Sequence, residues 1–198
     1  MKANRLFSIF LAALFMLVAL PALTTDVFAQ KTTKAKTVGK KIAVPKTWDY
    51  IYDKKKGYGF YVPAGTTMES ETAKGVDVIV MTTPAPTKID IFVLVYKDKT
   101  LTKEDLLDDA VAFLEALGQE VTPGALRAES EDYAVADAAT VHPELGKGKL
   151  RILVGTDITD NYIMIIGSTV KNFDANEETI NTIWGSFEMW SGGASGKN

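Results

Sequence analysis

The sequence predicts an α+β protein, a three-layer α/β/α sandwich with two main helices and a mainly antiparallel sheet of about six or seven strands. The segments follow one another in the order strands, helix, strands, helix. Most links between successive strands are short, and short links join antiparallel neighbours. Ile89–Tyr96 is apolar on both faces, as in a central strand that is covered on both sides. A cone-shaped α+β fold with both helices on one face of the sheet is the alternative.

Short runs of apolar residues between turn residues identify the strands. Pro63 ends the run Tyr58–Val62, and Pro84 follows the run Val76–Met81. Proline ends a strand because it cannot donate a hydrogen bond to the ladder. Seven strands are predicted, in chain order Trp48–Tyr52, Tyr58–Val62, Val76–Met81, Ile89–Tyr96, Tyr133–Val141, Lys149–Gly155 and Tyr162–Gly167. Thr66–Glu71 is a candidate for an additional strand.

Two segments have the residue spacing of helices. Thr102 and Asp105 are spaced as in a capping box and Gly118 is a typical helix end, which predicts a helix over Thr102–Leu117. Asp174 is predicted to cap the second helix, with an acidic residue three positions later. The apolar faces have a helical period and consist of Leu106, Leu107, Ala110, Phe113, Leu114 and Leu117 in the first helix, and of Ile180, Ile183, Trp184 and Phe187 in the second.

Residues 1–29 have the layout of a secretory signal peptide. A short basic start precedes the almost wholly apolar stretch Leu6–Leu20, and Val27-Phe28-Ala29 has the pattern of a cleavage site. The apolar stretch is shorter than the roughly 20 residues that a transmembrane helix needs. We therefore expect an exported bacterial protein, periplasmic or extracellular, that begins at Gln30 and has no transmembrane span after cleavage.

Charge divides the rest of the sequence. Residues 30–46 contain six lysines and no acidic residue, which predicts a basic flexible arm. Residues 47–190 are predicted to form a single globular domain, and 191–198 a flexible Gly/Ser tail. The whole chain has 22 basic and 25 acidic side chains; without the signal peptide (two basic, one acidic) and the arm (six basic), 14 and 24 remain, a net charge of −10 for 47–198.

The composition excludes several kinds of site. With no Cys, the chain has no disulfide, no Cys-ligated metal and no thiol nucleophile, and its single His excludes a two-His metal site. His142 is close to Glu144, but no nucleophile motif accompanies it, which favours a surface-loop histidine. We therefore predict no catalytic residue, no cofactor and no metal. The net charge of −3 argues against nucleic-acid binding.

Aromatic residues and lysines cluster at the start of the domain. At the period of a strand, Tyr58, Phe60 and Val62 share one face, and Gly59 and Tyr61 share the other. One set is expected in the core. The other, with the lysines, is either an edge covering or an exposed patch for a partner. The residues predicted to bind a partner are Lys40, Lys41, Lys54, Lys55, Lys56 and Tyr61.

Two motifs resemble those of PsbP-like and Mog-type domains. The opening of those domains, a Gly-aromatic strand that runs into a Pro, is similar to Lys56-Gly57-Tyr58-Gly59-Phe60-Tyr61-Val62-Pro63-Ala64-Gly65. Their final strand and helix are similar to Tyr162–Thr169 followed by Ile180-x-x-Ile183-Trp184-x-Ser186-Phe187. The resemblance covers about residues 47–190. It implies a PsbP-like, Mog-type or DcrB-like α/β/α sandwich that acts as a binding or assembly module, with no shared ligand and no shared functional residue.

Two functions are compatible with the sequence. The first is a non-catalytic secreted or periplasmic envelope protein that binds another, unknown envelope protein or supports assembly. The second is a small-ligand binder or cryptic hydrolase with a pocket between sheet and helix. The basic lysines against an acidic body favour the first, because charge contrast is typical of a contact surface. The second predicts that a ligand raises the thermal stability of the folded protein.

Overall fold

The computed structural model describes residues 36–37, 42–73, 75–96, 101–156 and 160–189. The predicted signal peptide, 1–29, and the predicted tail, 191–198, lie outside the described residues, as do Lys40 and Lys41. In the described part of the chain, no helix is long and apolar enough to cross a membrane.

The described residues form three helices and twelve strands, and every strand expected from the sequence is present close to its predicted bounds. The helices are α1 (Lys103–Ala116), α2 (Val170–Ala175) and α3 (Glu177–Gly185). The strands are β1 (Lys36–Thr37), β2 (Asp49–Asp53), β3 (Tyr58–Val62), β4 (Thr67–Ala73), β5 (Val76–Thr82), β6 (Asp90–Tyr96), β7 (Glu120–Pro123), β8 (Arg127–Ala128), β9 (Tyr133–His142), β10 (Gly146–Thr156), β11 (Asn161–Thr169) and β12 (Glu188–Met189).

Two antiparallel sheets organise the fold. The large sheet has eight strands in the order β4-β5-β6-β11-β10-β9-β7, with β8 also paired to β9. The small sheet has the order β1-β12-β3-β2. The prediction of a mainly antiparallel sheet is confirmed. The strands are more numerous than predicted and form two sheets. The additional strands β1, β7, β8 and β12 were missed because they have only two to four residues each.

The large sheet has a hydrophobic core on each face. Along β11, Tyr162, Met164 and Ile166 point into one core, and Ile163 and Ile165 point into the other, since successive side chains of a strand alternate. Helix α1 covers the second core, whereas α2, α3 and the small sheet cover the first. The two main helices, α1 and α3, therefore lie on opposite faces. This confirms the three-layer sandwich and excludes the cone-shaped alternative.

Both ends of α1 follow the sequence signals. The backbone N–H of Asp105 donates to Thr102 Oγ1 at 3.1 Å, and the backbone N–H of Thr102 donates to Asp105 Oδ2 at 3.0 Å, which completes the capping box. At the other end, Gly118 has a φ of +82° and its N–H donates to the Glu115 carbonyl at 2.9 Å. The helix therefore stops at a fixed point along the sheet.

The prediction that Asp174 caps the last helix is wrong. The chain turns into α2 at Val170, directly after β11, so Asp174 lies inside a helix, where its Oδ1 pairs with Lys149 Nζ at 2.7 Å. Asn176 precedes α3 without a side-chain capping bond, and its Nδ2 donates to the Asn172 carbonyl at 2.9 Å. The capping pattern fails here because Asp174 has a helical backbone within α2, whereas an N-cap residue is not helical.

Two pieces of the segment 30–46 lie on the domain. Lys36–Thr37 forms β1 and pairs with β12 at the edge of the small sheet. Ile42 lies so close to α3 that a Cβ on Gly185 would be 2.0 Å from Ile42 Cδ1, and glycine allows this approach. The predicted flexible arm therefore does not include these two pieces.

Candidate functional site

An open cleft of about 730 Å³ lies at one end of the large sheet. It is on the face that α1 covers, beyond the C-terminal end of the helix, where Leu114 and Leu117 form one side. The cleft exists because α1 is shorter than the strands that it covers. The 14 residues of α1 span roughly 21 Å, whereas the 11 residues of β10 span about 36 Å. The helix therefore leaves the ends of β6, β9, β10 and β11 uncovered.

The floor of the cleft is apolar and includes two glycines. Phe92 and Leu150 line it, together with Gly148 and Gly167. A Cβ on Gly167 would lie 2.5 Å from Leu150 Cδ2, and a Cβ on Gly148 would lie 2.9 Å from the Ser168 carbonyl oxygen. A larger side chain at Gly148 would collide with the backbone of β11, whereas one at Gly167 would require the end of the Leu150 side chain to move. The close packing of β10 and β11 thus keeps this part of the floor without side chains.

The link between β5 and β6 forms one wall of the cleft. Asn172 Nδ2 donates to the carbonyl oxygens of Thr87 at 2.5 Å and Lys88 at 3.1 Å. Ser168 Oγ donates to the same Lys88 carbonyl at 3.1 Å. Residues at the end of β11 and on α2 therefore fix the backbone of Lys88, whose exposed side chain lines the cleft.

The hairpin between β9 and β10 forms the opposite wall. His142 is half-buried at the end of β9, and its Nδ1 accepts hydrogen bonds from the backbone N–H groups of Glu144 at 3.1 Å and Leu145 at 3.2 Å. The only histidine of the sequence thus shapes a turn. Leu145 at the tip is 67% exposed and lines the cleft, and Lys147, two residues further on, is exposed.

The charged groups of the cleft differ in their surroundings. Burial raises the pKa of Asp90, and the hydrogen bond that Thr82 Oγ1 donates to its carboxylate at 2.9 Å acts in the opposite direction. Lys88 and Lys147 form no ion pair with any carboxylate of the described residues. Among those residues, no group of three or more carboxylates and histidines is placed to hold a metal ion. Lys147 alternates with Gly146 and Gly148 and is paired with Val141, so its side chain lies on the other face of β10. The cleft therefore offers an apolar floor, the exposed Lys88 and the half-buried Asp90.

The sequence hypothesis of a pocket between sheet and helix named no residue of this cleft. The lining residues come from four strands, three links, the end of α1 and α2, so no local pattern collects them. One signal was present in the sequence. Gly146 and Gly148 alternate with Lys147, which leaves one face of a strand end without side chains.

The outer face of the small sheet carries a second candidate surface. Tyr50 and Tyr61 are direct neighbours across β2 and β3, with ring centroids 4.7 Å apart, and Tyr52 stacks on Tyr50 at 5.9 Å. Burial and the nearby Glu188 carboxylate raise the pKa of Tyr50, whose hydroxyl donates to Glu188 Oε2 at 3.1 Å. Tyr52 is 39% exposed and Tyr61 is half-buried. We call Tyr50, Tyr52 and Tyr61 the tyrosine patch.

The structure separates the residues that were predicted to bind a partner. Tyr61 belongs to the tyrosine patch, and its strand neighbours Tyr58 and Phe60 point into the core. Lys54 and Lys55 are exposed in the turn between β2 and β3. Lys56 is half-buried, and its Nζ lies 3.6 Å from one carboxylate and 4.0 Å from another, so its charge is compensated.

A polar cluster fastens α3 to the large sheet. Arg151 Nε donates to Asp137 Oδ1 at 2.8 Å, and the guanidinium lies 5.9 Å from the ring centres of Phe173 and Trp184. Arg127 Nη2 donates to the other oxygen of Asp137 at 2.9 Å. Burial acts to raise the pKa of Asp137, but the hydrogen bonds and charges of the two arginines outweigh it and hold this pKa below its usual value. The cluster is structural, because each of its charged groups is already paired.

The pKa of Asp137 predicts a loss of stability in acid. Its ionised form is favoured in the folded state, so its stabilising contribution is present above the ordinary carboxyl pKa of 3.8 and is lost as the pH falls through the lower folded value. Asp90 has the opposite effect on the pH dependence of stability. Its pKa is raised in the folded state, so its contribution to the free energy of unfolding falls as the pH rises above 3.8.

Urea unfolding between about pH 2.5 and pH 6 measures both effects. The difference in free energy of unfolding between the natural protein and Asp137→Asn should shrink as the pH falls. The corresponding difference for Asp90→Asn, the control, should change in the other direction. A difference for Asp137→Asn that stays constant over this range would contradict the assigned pKa.

Comparison with known proteins shows similarity in structure. No family model matches the sequence, and no curated protein matches it. The solution structure of the cyanobacterial PsbP, CyanoP, from Synechocystis sp. PCC 6803 aligns with a TM-score of 0.59 at 18% identity, over 77% of this chain and 99% of that chain. LpqN of Mycobacterium tuberculosis, described as involved in cell envelope biogenesis, aligns with a TM-score of 0.43 at 14% identity, over 72% of this chain and 91% of that chain. The relation to Mog-type and DcrB-like domains stays a prediction, and the similarity to CyanoP confirms the resemblance at the level of the fold: this chain has a PsbP-like fold.

Proposed function

We propose that the protein is an exported, non-catalytic binding module that holds a protein partner on the tyrosine patch. The observation that carries this proposal is the contact among the three tyrosine rings on one sheet face, with Tyr52 39% exposed. Tyrosine is enriched at protein interfaces because a rigid ring with a polar tip supplies contact area at a low cost in conformational entropy. The signal-peptide pattern of residues 1–29 supports export to the bacterial envelope or beyond.

The patch is held in place before any partner binds. Tyr50 is fixed by its hydrogen bond to Glu188, and the backbone N–H of Tyr61 donates to Ser186 Oγ at 3.0 Å. Side chains that are already ordered lose little freedom on association, which favours affinity. The exposed lysines of the β2–β3 turn follow directly after β2 in the chain and supply the polar rim that such interfaces have.

A cross-linked pull-down from native cell envelope tests this function, with the protein beginning at Gln30 as bait. The double variant Tyr52→Ala/Tyr61→Ala should lower the recovered partner about tenfold or more, because aromatic anchors dominate interface energies. Met68→Ala is the matched control, since Met68 is 38% exposed on β4 of the large sheet. It should recover the partner in full.

Charge reversal at the turn tests the rim separately. Lys54→Glu/Lys55→Glu should slow association at low salt and reduce or reverse the fall of the association rate with added salt, with little change in the dissociation rate, because rim charges act mainly on the on-rate. This variant is preferable to deletion of residues 30–46, which would also remove β1 and the contact of Ile42 with α3. A partner that the double tyrosine variant binds as well as the natural protein does would refute the proposal.

A second candidate function is the binding of a small ligand in the cleft. The observation that favours it is the cleft itself, about 730 Å³ with an apolar floor and a few polar groups at the walls. A ligand that binds only the folded protein stabilises it by mass action, so a thermal-shift screen over chemically different ligands is the direct test. A rise in the melting temperature is expected for at least one class, and no rise for any class would refute this candidate.

A further inference from the structure

Strand β2 forms a free edge of the small sheet. It is the last strand in the order β1-β12-β3-β2, and in the described part of the chain no strand pairs with its outer side. Proteins usually protect such an edge with a proline, a bulge or charged residues along the strand, because its backbone groups can pair with another chain. The middle of β2, Tyr50-Ile51-Tyr52, has none of these features.

The hydrogen bonds of β3 show which backbone groups of β2 point outwards. Tyr61 lies opposite Tyr50, and its N–H donates to Ser186 Oγ at 3.0 Å. Ser186 comes just before β12, the neighbour of β3 on the side away from β2. In an antiparallel pair, two opposite residues either bond each other or both point away. Tyr50 therefore directs its N–H and C=O outwards, and so does Tyr52, two residues later.

A strand that pairs with this edge would gain two kinds of contact. The outward N–H and C=O groups of Tyr50 and Tyr52 form no hydrogen bond with any described residue, so an extended chain can bond them. The rings of the same two residues belong to the tyrosine patch, so the added strand would also lie against that patch. In strand addition, the backbone bonds supply affinity and the side chains supply specificity.

The charges at the two ends of β2 specify the partner. Asp49, at the start, forms no ion pair with any described residue. The carboxylate of Asp53, at the end, is already used, because it accepts the N–H groups of Lys55 and Lys56 at 2.9 Å and lies 3.6 Å from Lys56 Nζ. Lys54 and Lys55 are exposed just beyond it. A complementary antiparallel segment therefore has a basic residue opposite Asp49 and an acidic residue beside these lysines.

A second copy of this chain fits the edge less well. Two β2 strands paired antiparallel about Ile51 would place Asp49 of each copy directly opposite Asp53 of the other, and like charges at opposite positions are destabilising. Strand β4, at one edge of the large sheet, also offers less. It has no aromatic side chain, and Glu69 is exposed at its middle. The observations favour a different protein at β2.

We propose that the partner binds by β-strand addition, with an extended segment that pairs antiparallel with β2. Its backbone bonds the outward groups of Tyr50 and Tyr52, and its side chains contact the tyrosine patch. A basic residue of the segment lies opposite Asp49, and an acidic residue lies beside Lys54 and Lys55. This inference rests on the proposed function and specifies how the partner is recognised.

A pair of N-methylated peptides tests the backbone bonds without any change to the protein. The probe is acetyl-Glu-Thr-Tyr-Val-Tyr-Lys-Thr-amide, which can place its valine opposite Ile51, and binding is measured by NMR titration of the protein beginning at Gln30. N-methylation of both tyrosines removes the N–H groups that bond β2 and should weaken binding at least about tenfold. N-methylation of the valine removes an N–H that points away, so binding should stay within about twofold. Equal effects, or no binding of the unmodified probe at millimolar concentration, would overturn the proposal.

Amide hydrogen exchange locates the bound probe. The N–H groups of Tyr50 and Tyr52 should exchange at least about tenfold more slowly when the probe is bound, because each then donates a hydrogen bond. The N–H of Ile51 faces β3 by alternation and should exchange at an unchanged rate. Slower exchange in β4 and not in β2 would place the probe on the wrong edge and refute the assignment.

A charge reversal tests the orientation of the segment. Asp49→Lys should weaken binding of the probe about fivefold, because the lysine of the probe then meets a like charge. Glu69→Lys is the matched control, since it changes the net charge equally but lies on β4. A probe with glutamate in place of its lysine should prefer Asp49→Lys to the natural protein. Equal weakening by Asp49→Lys and Glu69→Lys would contradict the assigned position.

Two further measurements separate this inference from the function on which it rests. In the envelope pull-down, a partner that is lost with Tyr52→Ala/Tyr61→Ala but retained in full with Asp49→Lys would overturn strand addition and leave the tyrosine patch as the partner surface. A partner retained by both variants would overturn both. In sedimentation velocity, a dimer that the probe dissociates would assign the edge to a second copy of this chain and overturn the inference.

Discussion

Replacement of Phe187 by alanine should lower the free energy of unfolding by about 3–5 kcal/mol. Phe187 is fully buried, and its ring centre lies 5.8 Å from that of Phe60 and 6.1 Å from those of Tyr58 and Tyr162. Tyr58 and Phe60 belong to the small sheet, and Tyr162 belongs to the large sheet. Alanine would therefore leave a cavity at the joint between the sheets and remove aromatic contacts that hold them together.

Urea unfolding followed by circular dichroism measures this loss, with Met68→Ala as the control. Met68 is 38% exposed, so its replacement should change the free energy of unfolding by less than about 0.5 kcal/mol. A loss for Phe187→Ala below about 1 kcal/mol would show that this aromatic cluster does not join the two sheets.

Replacement of Arg151 by alanine should cost about 2–3 kcal/mol, well above the cost of the same change at Arg127. Both arginines donate to Asp137, at 2.8 Å and 2.9 Å, but the side chain of Arg151 is 12% exposed and that of Arg127 is 52% exposed. Solvent screens the outer pair, so Arg127→Ala should cost about 1 kcal/mol or less. Arg151 also packs between the rings of Phe173 and Trp184, and alanine removes that packing.

The two arginine variants form a matched pair, because they remove the same charge from the same carboxylate at nearly the same distance. Arg151→Met keeps most of the packing and should recover part of the lost stability, which separates packing from charge. Equal losses for Arg151→Ala and Arg127→Ala would contradict the view that burial makes the inner pair the stronger one.

The sequence predicted the six long strands of the large sheet and the limits of α1 well, for physical reasons that are local. Continuous apolar residues require cover on both faces, as in β6, and the capping residues Thr102 and Asp105 define the start of α1 without help from other segments. Alternation along β3 also placed Tyr58 and Phe60 on one face and Tyr61 on the other, and the structure buries the first pair.

The parts that sequence patterns missed depend on partners elsewhere in the chain. Strands β7, β8 and β12 are short, and each exists because β9 or β3 offers it an edge. Asp174 has the spacing of a cap but pairs with Lys149 on β10 instead. The length and composition of these segments carry no sign of such pairings.

The candidate sites were predictable to different degrees. Tyr61 was identified from strand alternation and lies in the tyrosine patch, whereas Tyr50 and Tyr52 join it through the register of β2 against β3. Lys56 looked like its neighbours in sequence, but two carboxylates compensate its charge. The cleft depends on where α1 stops above the sheet, and that relation emerges only when the helix and the strands are placed together.

Site-specific photo-cross-linking in native cell envelope is the most direct test of the proposed partner surface. A photoreactive amino acid is placed at Tyr52, at Met68 and at Leu145, which lie on the small sheet, on β4 and at the cleft. The proposal predicts a cross-link to one envelope protein from position 52 and none to that protein from positions 68 and 145. A protein captured from position 68 or 145 and not from position 52 would contradict it.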